Sequence, residues 1–520
     1  MKIERTKNAT KGITVGMLLR IQQTVLPFLM RTAMIWLMGV EYLGLNGLFT
    51  SILHILNLAE LGVGAAMVFS MYRPIAEDDE ETICALMYLY RRYYRFIGLA
   101  VGAIGLVLMP VLPKLISGKI PSELDIYALY LLNLGSTVLT YWLFAYKNCL
   151  LQAHQRTDVS SLITMITTLV QTVLQFVVLL LTRNYYWYVI VAMVAQSLNN
   201  ICTAVVTTKM YPRYRPQGHL SRAQTQSING RIRDLFTGKL GSVVLSSSDT
   251  MVISAFLGLT VLAVYQNYFF IVTSVISVIE IMLQSVLAGL GNSFITEAKE
   301  KNYRDFRKFT FIYLWVVGVC TCCFLGIYQP FMKIWVGEEL MLNYSAVVCF
   351  AVYFFVYALN RLLSIYKDAA GLWHEDRFRP LVTSLVNLAL NLLCVRSLGI
   401  YGVLLSTVLS MVMVGMPWVL RNVFTLFFER KQLKAYVCQI LMHVLTTAAA
   451  GLVVCLLCRL VSLNIWVDLG MCAMISAIVP NVVFLLLLCR SSQFEPSIRF
   501  IDRLTKGNLE LERRLTRSRK

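Results

Sequence analysis

The chain has 520 residues, 58% of them hydrophobic and only 14% charged, with a mean hydropathy of +0.66 and a formal net charge of +19. A soluble globular domain carries about a quarter charged residues, so this composition excludes a protein solvated mainly by water. The net positive charge raises nucleic acid as a partner, but the cations are distributed as in a membrane protein, along one side of a series of apolar spans.

Apolar stretches of the length that crosses a bilayer recur from residue 13 to residue 489. The start, MKIERTKNATKGITVGMLLR, is basic but lacks a short apolar core ending in a small-residue cleavage site, so it is expected to lead into a retained first helix. The pattern predicts an all-α polytopic membrane protein of about fourteen transmembrane helices. Six spans, near 13–39, 43–70, 83–112, 125–152, 159–182 and 185–208, form an N-lobe over 1–210. The segment 211–236, basic and holding Pro and Gly, reads as a cytoplasmic linker. Six more, near 237–257, 259–293, 309–329, 341–367, 380–399 and 401–428, form a C-lobe over 237–435. Two further spans, near 436–460 and 465–489, fill 436–490, and a basic cytoplasmic tail closes the chain over 491–520.

With the N-terminus on the cytoplasmic side, 37 of the 47 Lys and Arg fall in the tails, the even-numbered loops and the adjoining helix ends. Six fall on the other side: Lys114, Lys119, Arg183, Lys333, Arg396 and Arg459. This asymmetry sets both termini in the cytoplasm by the positive-inside rule, and it accounts for the basic charge through anionic inner-leaflet lipid rather than nucleic acid.

The chain also repeats. YKNCLLQAHQRTDVSSLIT (146–164) matches YKDAAGLWHEDRFRPLVTS (366–384) in its Tyr, Lys and His at an offset of 220. LYRRYYRFIGLAVG (89–102) matches DFRKFTFIYLWVVG (305–318) at 216, and Gly39 and Leu43 match Gly258 and Leu262 at 219. Repeats in order over six spans predict two lobes entering from the same side, related by a pseudo-two-fold along the membrane normal and able to rock about a central cavity.

Four cations lie inside spans: Arg20, Arg31, Lys239 and Arg361. A mid-span Arg costs about 2.5–3.5 kcal/mol to insert, so such residues need a wet or polar neighbourhood. Arg20 and Arg31 are almost three helical turns apart on one face, with Thr24 and Pro27 on the same stripe and Gln23 beside it. Lys147 ends the fourth span. Cations lining a cavity call for an anionic substrate, since Arg matches phosphate with a planar fork of donors and Lys with a point charge. The expected substrate-binding set is therefore Arg20, Gln23, Arg31, Lys147, Lys239 and Arg361. Glu60, Asp249 and Glu280 are intramembrane acids, either ion-coupling sites or static salt-bridge partners. His54, His154 and His374 read as structural residues. The 13 cysteines are scattered through apolar runs, with no polar company of the kind a metal needs, and read as small buried residues. No cofactor or metal site is expected, and no ATPase motif exists to drive transport.

The stretch GVEYLGLNGLFTSILHILNLAELGVGAAMVFSMYRPIAEDDEE (39–81), with its aromatic-Leu-Gly after the first helix, its Gly-rich second helix and its Tyr-x-Pro before an acidic loop, resembles the Wzx-type polysaccharide-repeat-unit flippases. These belong to the multidrug/oligosaccharidyl-lipid/polysaccharide exporter superfamily. GLTVLAVYQNYFF (258–270) is similar to the corresponding part of the second lobe. The resemblance implies translocation of an undecaprenyl-pyrophosphate-linked oligosaccharide across the bacterial cytoplasmic membrane for surface polysaccharide export, of capsule, exopolysaccharide or O-antigen type. It further implies a coupling proton or sodium ion, and polysaccharide polymerase and export machinery as partners beside the membrane lipids. A peptidoglycan-precursor or teichoic-acid-type lipid flippase is the near alternative. A membrane polysaccharide polymerase or glycosyltransferase is the distant one, disfavoured by external loops of about a dozen residues at most. EDDEE (77–81) reads as a solvated loop rather than a metal or sugar-nucleotide site. The first helix has no acid between Arg20 and Gly39, which weighs against a cationic-drug exporter.

Overall fold

The computed structural model describes residues 5–504 apart from 61, 118, 119, 122, 462 and 463. Lys119 and the tail beyond 504, both counted in the charge asymmetry, lie outside the described residues. Among the described residues the chain is helical throughout, without strands. Among the described residues eleven helices are long and apolar enough to cross a membrane, or twelve if a pair bent by 45° forms one span. The chain is an all-α multi-pass membrane protein. The difference from about fourteen lies in the first two expected spans, whose polar content and broken geometry set them apart.

The chain divides into two compact units, Met1–Gln266 and Asn267–Lys520. In the first, α1 (Arg5–Leu37) is 33 residues long, but its apolar character is diluted by Arg20, Gln22, Gln23 and Arg31. The expected second span is not one helix. It is α2 (Val40–Leu56), a 3₁₀ turn at Asn57–Glu60, and α3 (Val63–Ala76). Gly62, in the left-handed region at φ 90°, starts α3, a conformation open to glycine at little steric cost. A Cβ on Gly62 would stand 2.7 Å from Leu235 Cβ and 3.1 Å from the Ile232 carbonyl oxygen, so the same glycine also admits a neighbouring helix.

Five more helices follow: α4 (Glu80–Leu108), α5 (Ile126–Trp142), the short α6 (Asn148–Ala153), α7 (Thr157–Thr182) and α8 (Tyr185–Met210). α5 and the Ala145–Ala153 segment are the bent pair. α1 packs on α7 and α2, while α5 packs between α4 and α8. The helix that Gly62 admits is α9 (Arg222–Leu257), which packs on α2 and α3. It begins at Ser221, whose side chain and that of Gln224 close a capping box. The C-terminal half of the expected linker is thus helix, continuous with the seventh span.

α10 (Leu259–Thr296) runs from the first unit into the second. There follow α11 (Lys299–Val336), α12 (Tyr344–Ala369), the single turn α13 (Trp373–Asp376), α14 (Arg379–Leu398), α15 (Ile400–Ser410) and α16 (Met416–Asn422). A π-helical turn at Met411–Gly415 joins the last two, next to Pro417, which has no N–H to continue the α-helical ladder. α17 (Arg430–Leu460), α18 (Ile465–Leu488) and α19 (Phe494–Leu504) are the last helices among the described residues. α11 is the hub of this unit, packing against α12, α17, α18 and α19. A Cβ on Gly318 would lie 2.6 Å from Phe484 Cζ, and one on Gly326 2.1 Å from Ser476 Oγ. Small residues at such crossings let membrane helices gain the close contact that holds them together in lipid.

One matched pair of glycines shares a backbone conformation. Gly39 and Gly258 both break a helix at positive φ with extended ψ, at (116°, 163°) and (92°, 171°). Each N–H reaches back five residues, to Met34 and Ile253. The matched histidines diverge: His154 is buried against Tyr211, ring centroids 4.3 Å apart, whereas His374 is exposed beside Arg377.

Candidate functional site

The break in the second span carries Glu60 into a cavity of about 380 Å³ inside the first unit. Tyr94 donates to Glu60 Oε1 at 2.5 Å and Tyr141 to Oε2 at 3.1 Å. Tyr141 also lies 2.8 Å from Asn57 Oδ1, and Tyr90 donates to Tyr94 at 2.7 Å. Both carboxylate oxygens are thus held by phenols, which makes Glu60 a fixed acceptor within the bundle. α8 supplies Gln196, Asn199 and Asn200 to the same cavity, and α6 supplies Asn148 and Gln152. Asn199 Oδ1 accepts from Thr167 at 3.0 Å, and Asn200 donates to the Thr140 carbonyl at 2.9 Å. Asn148 Oδ1 is buried without a hydrogen-bond partner.

The bend between α5 and α6 carries the buried Tyr146, with Arg91 against its ring and Lys147 next in the chain. Arg91 stands 6.0 Å from the Tyr146 ring centroid. Trp142 Nε1 donates to the Arg95 carbonyl at 3.3 Å. Lys147 follows Tyr146 and hydrogen-bonds Thr208 on α8. On the other side of α5 is an apolar groove of about 390 Å³, lined by Leu106, Leu134, Val138, Trp142 and Met193 among others.

Of the substrate-binding candidates marked in the sequence, Arg20 and Gln23 are exposed on α1 and Arg31 is half-buried, beside Tyr188. Lys239 is exposed on α9, and Asp249, on the same helix, is buried. His54 shares a 3.1 Å hydrogen bond with Ser247. In the second unit Arg361 Nε meets Glu280 Oε1 at 2.9 Å, with each side chain about 30% exposed. One substrate-binding candidate and one ion-coupling candidate are therefore partners. Nearby in sequence, Asp376 takes a two-pronged contact from Arg379, at 2.7 and 2.9 Å, with Lys367 Nζ 3.4 Å away. All three are buried.

The tyrosines around Glu60 and the amides of α8 escape a charge-based reading. A signal existed: Gln196, Asn199 and Asn200 recur at helical spacing inside an apolar span. The tyrosines left none, because tyrosine is common wherever membrane helices pack.

The fold has counterparts among solved structures. The lipid II flippase MurJ in an inward closed conformation aligns over 92% of this chain and 98% of its own, with TM-score 0.67 and 14% identity. An inward-facing multidrug resistance MATE family transporter of the MOP superfamily aligns over 81% and 98%, with TM-score 0.60 and 15% identity. An outward-facing transporter of that description aligns over 82% and 96%, with TM-score 0.52 and 15% identity. At these identities the likeness is one of fold. No protein-family model and no curated protein matches the chain in sequence.

Proposed function

We propose that the chain is a flippase moving undecaprenyl-pyrophosphate-linked oligosaccharide repeat units across the bacterial cytoplasmic membrane, both termini cytoplasmic, by alternating access. The observation that carries the reading is a fold shared, over nearly the whole chain, with a lipid II flippase, together with Arg20 and Arg31 on one long first helix. A guanidinium group matches a diphosphate with its planar fork of donors. Lys147, Lys239, Arg361 and Gln23 complete the substrate set. Glu60, Asp249 and Glu280 are the candidates for a coupling proton or sodium ion. Polysaccharide polymerase and export machinery are the partners such a flippase would feed.

A peptidoglycan precursor is the second reading, favoured by the likeness to the lipid II flippase. The test is leaflet exchange in proteoliposomes with two fluorescent lipids, an undecaprenyl-pyrophosphate oligosaccharide and lipid II. Faster exchange of the first supports the proposal, and faster exchange of the second replaces it. Arg20→Gln, Arg31→Gln and Lys239→Gln should each slow exchange, and full activity in all three overturns their assigned roles. Glycan elongation by the purified chain would return it to the enzyme class.

A further inference from the structure

We infer that the first unit by itself carries a three-part seat for a lipid-linked glycan: sugar in the Glu60 cavity, phosphate on Arg91, Arg95 and Lys147, and isoprenoid in the apolar groove. The inference rests on the transport reading for its ligand class and narrows that class to lipids with a sugar directly beyond the phosphate.

The cavity is not lined for an anion. No Lys or Arg is among its described lining residues, and its one carboxylate, Glu60, would repel phosphate. Its lining is amide, hydroxyl and aromatic. Asn148, Gln152, Gln196 and Asn199 offer donors and acceptors on one group, which suits the mixed donors and acceptors of sugar hydroxyls. Phe144, exposed at the cavity, presents a ring of the kind that packs on the C–H face of a sugar. Asn148 lines the cavity with its side chain, although its Oδ1 is itself buried and without a partner. At about 380 Å³ the cavity is near the lower end of small-ligand sites, a size for about one or two sugar rings.

The neighbouring features offer places for the ligand's other parts. Tyr146, in the turn that leads into α6, lies against Arg91, and its chain neighbour is Lys147. The Arg95 carbonyl holds the indole of Trp142, and that indole lines the apolar groove. Thr140 and Tyr141 line the cavity, while Val138, Leu139 and Trp142 on the same turns of α5 line the groove. α8 likewise gives Met193 to the groove and Gln196 to the cavity, less than one turn apart. A cavity of polar lining without cations, a group of cations and an apolar groove correspond to a glycan, a diphosphate and an isoprenoid.

The test measures binding of two fluorescent probes to the full-length protein in nanodiscs: undecaprenyl diphosphate carrying an N-acetylhexosamine disaccharide, and bare undecaprenyl diphosphate. Wild type should bind the glycosylated probe more tightly. Asn148→Leu and Gln196→Leu, made singly, should cut the ratio of the two affinities about tenfold, the size of one lost hydrogen bond. The near-isosteric Thr164→Val, in the same lining, serves if either of these fails to fold. The double change Arg91→Gln with Arg95→Gln should weaken both probes alike. A wild type that binds both probes equally, or a ratio unmoved by every cavity variant, overturns the seat. Exchange that continues without sugar preference overturns the seat alone. Sugar preference without any exchange overturns the transport reading alone.

Discussion

Gly39 and Gly258, 219 residues apart, adopt one backbone conformation and end one kind of helix. The conformation, positive φ with extended ψ, belongs to glycine almost alone. Gly39→Ala and Gly258→Ala should each cost about 1–3 kcal/mol, read as a fall in the melting temperature of the detergent-solubilised protein. The Gly258 change should be the worse, because a Cβ there would also stand 3.0 Å from the Ser117 carbonyl oxygen. Equal or higher stability in both variants contradicts the turn.

The buried triad of Asp376, Lys367 and Arg379 makes a sharper prediction. Asp376→Asn removes the charge that two buried cations share, although Lys367 keeps its contact with Asp368. Stripping one member from a buried ion pair costs about 3–5 kcal/mol. The variant should express poorly or melt far below wild type, whereas Asp305→Asn, at a partly exposed pair with Lys308, should change little.

Glu280 and Arg361 invite a charge swap. Either single change to Gln leaves a half-buried charge alone and should lose about 1–2 kcal/mol. Glu280→Arg combined with Arg361→Glu should recover that stability. Exchange activity should stay low in the swapped protein if Arg361 also meets substrate phosphate. Full recovery of both would make the pair purely structural.

Asp79 begins α4 by accepting a hydrogen bond from the Thr82 backbone at 3.0 Å. The Thr82 side chain, and then its N–H, hold the Asp79 carboxyl below its ordinary value. A carboxyl lower in the folded state stabilises the fold above about pH 4, its unfolded value, and that contribution fades as pH falls through the folded value. Asp79→Ala should therefore lower the melting temperature at pH 7 by the worth of a helix cap, about 1 kcal/mol. The gap from wild type should narrow below pH 4, and a constant gap from pH 7 to pH 3 would contradict the assignment.

Much of this protein was legible in its sequence because lipid is an exacting solvent. A chain crossing it must hide every backbone polar group in helices, and helices of that length announce themselves by composition. The all-α multi-pass fold and the helix break shared by Gly39 and Gly258 were open to reading for that reason. Charges were conspicuous too, since each is costly in an apolar run, so Glu60, Glu280 and Arg361 stood out. Their partners did not. That Glu280 meets Arg361, or that Tyr94 and Tyr141 grip Glu60, depends on residues 34 to 81 positions apart being brought within hydrogen-bond reach. Tertiary structure alone decided that the second span breaks at Glu60, because the break is made by Gly62 and the close approach of α9, and a hydropathy pattern does not record which helix comes near. It alone decided also that amides scattered over α6 and α8 enclose one cavity. Periodicity assigns a residue to a face of its own helix, and packing assigns that face its neighbour.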